Sequence, residues 1–326
     1  MNRGWELGAG GVLLAMMAAL VRVRLAPVRA FVVQAFRPAL WLALATAPLL
    51  AQSQSTELHT KFKSGQGVVP VYEGWERVPD GSFNMVFGYL NRNHVEELAV
   101  SVGAQNGFEP GPADRGQPTY FYPRENHFIF KVNVPKDWDR KKELVWTITA
   151  NGRTETARAT LLDVWEIDRK VEVSNNGGGV QISNELIMRD QPPVVTIAPV
   201  GRVKAGTPLT LSARVSDDGL PAPSKARTPR PLEPTLRGAP PSPVNVPLPS
   251  RPRPPQGLSV LWLVYRGPAG VAFDPDGYAK VVDGTVGVKA TFSRPGTYTL
   301  RAFASDGLLR TPADVVVTVE RGNSEF

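Results

Sequence analysis

The chain has 326 residues, enough for two ordinary domains and connecting material. It contains no cysteine, which excludes disulfide frameworks, thiolate metal sites, cysteine nucleophiles and cysteine lipidation together. The net charge of +7 is concentrated in residues 1–51 (+4) and 221–257 (+5), so the remainder sums to −2 and offers no basic face to phosphates; no nucleic-acid partner is expected.

Two apolar stretches lead the chain. The first runs from Leu7 to Val21, and the second, from Ala39 to Ala51, has thirteen residues, the length of a signal-peptide core and short for a membrane span. Arg29 and Arg37 flank it on one side and the polar Gln52-Ser53-Gln54-Ser55 on the other. Residues 1–51 therefore read as an apolar targeting segment, with the mature chain expected to begin near Gln52. Residues 1–36 fit either an over-extended start or a hydrophobic anchor at Leu7–Val21. Both readings lead to export, to the periplasm, cell envelope or exterior, and membrane contact is expected only through an uncleaved N-terminal segment.

Proline (31) and glycine (30) are abundant, which favours turns and short strands. Residues 57–175 follow that pattern. Strand-like runs occur at 68–73, 82–91, 97–102, 127–134, 144–150 and 154–162, and the last two are joined by Asn151-Gly152, a type I′ hairpin signal. Short strands at this spacing predict an antiparallel sandwich, and no helical period competes. Of the aromatics Trp75, Phe83, Phe87, Tyr89, Phe128, Phe130, Trp138, Trp146 and Trp165, those at alternating strand positions are expected in the core, although exposed coplanar rings would suit a sugar face. Tyr120, Phe121 and Tyr122 lie between Pro118 and Pro123 and fit no strand face; they are candidates for a loop anchor or an exposed contact patch.

Catalytic signatures are missing from the sequence. His94 and His127 have no second ligand at metal spacing, and the adjacent Glu96 and Glu97 would point to opposite faces of a strand. No G-x-S-x-G elbow occurs, and Gly177-Gly178-Gly179 is not followed by Lys-Ser/Thr, so residues 176–191 read as a linker. No catalytic residue and no cofactor is expected. The layout VYEGWERVPDGSFNMVFGYLNRN…PTYFYPRENHFIFKVNVP resembles that of exported proteins of environmental bacteria, a likeness that implies no activity.

Residues 192–321 carry a second strand pattern. It opens on PVVTIAPVGRVKAGTPLTLSARVSDDGLP, continues with LSVLWLVYRGPAGVAFDP and its tryptophan Trp262, and closes on ATFSRPGTYTLRAFASDG…DVVVTV. These blocks resemble the polycystic-kidney-disease (PKD) repeat and related Ig-like repeats, although the W-D-F-G-D-G string of that family does not occur. The resemblance implies a sandwich with Trp262 in its core, Tyr298 as a tyrosine corner, and a role as a spacer or adhesion unit. Residues 221–257 interrupt the pattern with thirteen prolines in thirty-seven residues, a composition expected to be disordered or polyproline-like.

The acidic turns Asp217-Asp218, Asp274/Asp276 and Asp306 are weak calcium candidates, since Asp and Gly are also ordinary turn residues; folding is expected to need no metal. The sequence thus predicts an all-β protein of two antiparallel, Ig-like β-sandwiches in tandem after an apolar export segment. The expected role is a non-enzymatic binding or structural module, with an envelope protein or a polysaccharide as candidate partner. The alternative is a carbohydrate-binding or carbohydrate-active protein working through exposed aromatics of the first domain.

Overall fold

The computed structural model describes residues 61–175, 183–222 and 254–322. The apolar segment 1–51, the glycine run 177–179 and residues 223–253 of the proline-rich insert lie outside them.

The first sandwich is built from β1 (Val68–Arg77), β2 (Phe83–Asn91), β3 (Leu98–Ala99), β4 (Asn106–Glu109), β5 (Tyr120–Phe121), β6 (Arg124–Val134), β7 (Leu144–Ala150) and β8 (Arg153–Ala159). A β1-β2-β6 sheet faces a β4-β7-β8 sheet, and β3 pairs with β5. Alternation decides the faces: every second residue of β7, from Leu144 to Ala150, is buried. Asn151 and Gly152 both take positive φ, as a type I′ turn requires, and β7 and β8 stay in register up to it. Phe87 stacks on Phe130 of its own sheet at 5.4 Å and meets Phe108 and Trp146 of the facing sheet edge-on at 5.3 and 5.9 Å. Each such ring contributes roughly 2–3 kcal/mol through area removed from water. One polar side chain is built into this core. Asn106, fully buried, donates to the carbonyls of Val100 and Pro118 and accepts the Trp146 indole N–H at 2.9 Å.

Between the sandwiches the chain forms two short helices, α1 (Arg169–Asn175), at the end of the segment expected to be all strand, and α2 (Asn184–Arg189), where a plain linker was expected. Each spans about two turns or fewer and buries one apolar residue, Val173 or Ile187, too little to leave a readable period. Those two residues pack with Leu308 and Leu309 in a small satellite core.

The second sandwich comprises β9 (Val194–Ile197), β10 (Val203–Lys204), β11 (Leu209–Ser216), β12 (Ser259–Arg266), β13 (Val271–Asp274), β14 (Tyr278–Lys280), β15 (Thr285–Phe292), β16 (Gly296–Ser305) and β17 (Arg310–Glu320). Its sheets run β10-β17-β16-β12-β14 and β13-β15-β11-β9. All pairings are antiparallel except β10 with β17. Trp262 lies in the core, and the Tyr298 hydroxyl donates to the Arg294 carbonyl at 2.9 Å, the hydrogen bond of a tyrosine corner. Gly267 is required beside it, because a Cβ there would stand 2.5 Å from the Tyr298 ring.

Candidate functional site: the inter-sandwich cleft

Each sandwich lends an aromatic to the other's core. Tyr265, at the C-terminal end of β12, joins the core of the first sandwich, and Tyr120 of β5 joins that of the second. The bulge at Val264/Arg266 in the β12–β16 ladder accompanies this departure of Tyr265 from its own sandwich. Around the exchange, the Tyr122 hydroxyl accepts from the Val264 N–H at 2.9 Å, Thr119 N–H donates to the Tyr265 carbonyl at 3.0 Å, and the Gly267 N–H donates to Thr119 Oγ1 at 3.1 Å. The Tyr265 hydroxyl donates to the Gly116 carbonyl.

Tyr120 and Phe121 are thus buried, and of the two readings open for Tyr120-Phe121-Tyr122 the geometry matches the anchor and not the exposed patch. The segment forms a two-residue strand whose second edge is the neighbouring sandwich, so its own sequence holds no period to reveal it. Burial and the Glu97 carboxylate, which accepts from the Tyr120 hydroxyl, hold that phenol well above the usual range.

Beside this contact lies a cleft of about 930 Å³, lined from both sandwiches and from α1. Several of its charges are engaged in pairs. Arg77 meets Glu166 at 2.7 Å, Lys131 meets Glu76 at 2.8 Å, and Arg301 grips Asp314 through two bonds of 2.7 Å. Arg301 also donates to the Ile129 carbonyl at 2.7 Å and lies 3.5 Å from the Tyr265 ring centroid, so one guanidinium ties both sandwiches. Arg266 forks onto Asp114 at 2.7 and 3.0 Å and reaches the Gln117 carbonyl at 2.8 Å; this pairing pushes its already high pKa further up and the Asp114 carboxyl down. Arg310 donates to the His127 carbonyl. These carboxylates accept from neighbouring cations, which suits holding the junction together more than abstracting a proton.

The other residues singled out in the sequence are scattered. His127 Nδ1 lies 2.9 Å from Glu73 and is held above the usual imidazole range mainly by that hydrogen bond, while His94 is lowered, chiefly by burial. Glu96 accepts from the Gly65 N–H at 2.6 Å and Glu97 from Tyr120, so the two carboxylates turn to different partners. Asp274 sits in register with Lys289 at the end of β13.

Asp217, Asp218, Asp306 and a fourth residue, Asp190, lie near enough for their charges to act on one another. Asp190 caps the C-terminus of α2, is fully buried, and neither of its carboxylate oxygens has a hydrogen-bond partner. Burial, then the charges of Asp306, Asp218 and Asp217, push it up to about 7. Asp306 accepts from the Leu308 and Leu309 N–H groups at 2.6 and 2.7 Å through one oxygen, and its second is buried without a partner; burial pushes it up to about 6. Asp217 is raised as well, first by burial. As placed, no three acidic or histidine side chains among the described residues form a ready-made metal cage. In the sequence Asp190 stands in an unremarkable Arg-Asp-Gln, and only its placement reveals it.

The fold and the cleft define an all-β protein of two antiparallel sandwiches clasped by exchanged side chains. No protein-family model and no curated protein sequence matches the chain. Among solved structures it is similar to the S-layer protein SbsC domains 4 and 5, at 11% identity over 55% of this chain and 65% of that one, with a TM-score of 0.22. A chimeric titin Z1Z2 aligns at 11% identity over 79% of this chain and 100% of that one, TM-score 0.24. The fibronectin(III)-like modules of Clostridium thermocellum CbhA align at 11% over 79% and 97%, TM-score 0.23. Scores this low transfer no residue and no activity.

Proposed function

We propose that this chain is an exported, non-enzymatic structural module whose two sandwiches act as one rigid unit. The observation that carries the reading is the exchange of Tyr265 and Tyr120 between the two cores, reinforced by Arg301 and Arg266. A connection meant to swing would keep its junction polar and lightly packed. Here the cleft, the natural place for a substrate, is bordered by Arg301 and Arg266, whose bonds span the junction. Export rests on the apolar run 39–51 with its arginine flank. Among the described residues, no helix is long and apolar enough to cross a membrane.

Against the sugar-binding alternative stands the burial of Trp75, Phe87, Tyr89, Phe128, Phe130 and Trp146, which leaves Trp165, 45% exposed, and the partly buried Phe83 and Trp138 as its aromatics. The test uses protein recovered from outside the producing cell. It should begin near Gln52 and unfold in one calorimetric transition whose van't Hoff and calorimetric enthalpies agree. Two separate transitions, or a chain confined to the cytoplasm, would overturn the reading.

A further inference from the structure

The β1-β2-β6 sheet is irregular at one level across all three of its strands. In β1 the register passes from Tyr72 opposite Phe87 to Gly74 opposite Val86, which leaves Glu73 without a partner on β2. In β6 it passes from Phe130 opposite Phe87 to Asn126 opposite Tyr89, so His127, Phe128 and Ile129 together face Gly88. Glu73 and His127 reach across β2 and meet, with His127 Nδ1 2.9 Å from Glu73 Oε1. Gly88 makes room for them, because a Cβ there would stand 2.4 Å from Glu73 Oε1 and 2.5 Å from the Asn126 carbonyl oxygen. The Glu73 side chain is 9% exposed and that of His127 37%, so water reaches the pair chiefly from the histidine side.

The bulge in β6 is also where the second sandwich takes hold. Arg310 donates to the carbonyls of His127 and Phe128, and Arg301 donates to that of Ile129 at 2.7 Å. A regular strand turns its carbonyls alternately to its two edges, whereas the bulge offers three in succession to cations of the neighbouring sandwich. Phe128 takes φ +49°, a costly conformation for a residue with a Cβ, so the bulge must be held in shape. The buried Phe128 ring, the two arginines and the Glu73–His127 pair hold it.

We propose that the Glu73–His127 pair is a pH-sensitive latch, tightening the grip between the sandwiches when the imidazole is protonated and relaxing it when the proton leaves, a role that rests on the two sandwiches acting as one unit. The charges around the ring favour the proton. Glu73 of β1 faces Nδ1, Glu125 of β6 lies 3.5 Å from Nε2, and β2 presents Gly88, which has no side chain. The opposing cation, Arg310 of β17, meets the backbone carbonyl of His127. The hydrogen bond to Glu73 holds the imidazole above its ordinary value of about 6.5. A histidine raised in the folded state contributes stability that is complete below the ordinary value and lost as pH rises through the folded one. Outside the cell, where the proposed export takes the chain, pH varies with the medium.

The test compares the full chain as wild type, His127→Gln and Glu73→Gln at pH 6.0 and 8.5. By calorimetry the wild-type melting temperature should fall with pH, and His127→Gln should abolish about 2–4 °C of that fall. The variant is needed because Asp190, pushed up to about 7, also loses stabilisation as pH rises. A brace with no titrating role would lower the melting temperature equally at both pH values. By NMR the His127 imidazole should titrate above the ordinary histidine value, and Glu73→Gln should bring it back down. Hydrogen exchange, corrected for intrinsic rate, locates the effect. The Thr119 N–H, which donates to the Tyr265 carbonyl across the junction, should lose protection several-fold at pH 8.5 while the β7–β8 amides keep theirs. The proposal fails if His127→Gln keeps the wild-type fall, or if His127 titrates at or below the ordinary value. It fails too if protection drops alike at Thr119 and in the β7–β8 ladder. In each of these cases a single calorimetric transition leaves the one-unit reading standing. Two transitions in the wild type at pH 6.0, with the latch closed, would overturn that reading and the latch with it.

Discussion

Two buried tryptophans separate what a residue's type dictates from what its neighbours add. Trp146 and Trp262 occupy the cores of the two sandwiches and look alike in sequence, each at an inward position of a strand. Trp146 gives its indole N–H to Asn106, which in turn holds two loop carbonyls, whereas the Trp262 N–H is buried with no acceptor. Replacement by phenylalanine shrinks the ring equally at both sites. At Trp146 it also strands the Asn106 oxygen, at about 1–3 kcal/mol, a cost that Trp262→Phe does not incur. Equilibrium urea unfolding should therefore find Trp146→Phe the costlier by roughly that margin. Equal losses would mean that Asn106 finds another donor and is not the pin of this core.

β12 is the element that makes two sandwiches one object. Strict alternation from Ser259 would give it one inward and one outward face, yet six of its eight residues are buried, Tyr265 among them because the C-terminal end leaves its own sandwich for the other. Tyr265→Ala removes the anchor and opens a cavity, which should cost about 3–5 kcal/mol. It should also split the calorimetric transition in two, since most of the remaining cross-junction bonds are polar. A variant that loses stability but keeps a single transition would place the coupling elsewhere, in Arg301 or Arg266. The strands themselves were legible because alternation is local: β7, β11 and β15 are readable from seven or eight residues each. The helices were not, having one buried residue apiece. Nor was the junction, where Thr119 meets Tyr265 and Ile129 meets Arg301, residues so far apart in the chain that no pattern of spacing joins them. The acidic cluster was half visible, its turn aspartates through their Asp-Gly signatures and Asp190 through none.

At the scale of the whole molecule, the question is whether the chain survives a break within its proline-rich insert. A cut there leaves β9, β10 and β11 with the first sandwich and puts β12 to β17 on the other fragment. Those fragments are interlaced: β11 pairs along most of its length with β15, β10 pairs with β17, and Tyr265 of the second fragment sits in the core of the first. The insert's contribution as a covalent link is small by comparison, because loop-closure entropy changes by only about 0.6 kcal/mol for each doubling of length. Trypsin should reach it at Arg227 or Arg237, while prolines after Arg230, Arg251 and Arg253 protect those sites. Brief digestion should therefore yield two fragments that co-elute on a sizing column and part only in denaturant. Fragments that separate under native conditions would mean that the ladders and the exchanged tyrosine are too weak to hold the second sandwich together. Cleavage inside the sandwiches ahead of the insert would sink the assignment of that segment as an insertion within one folded unit.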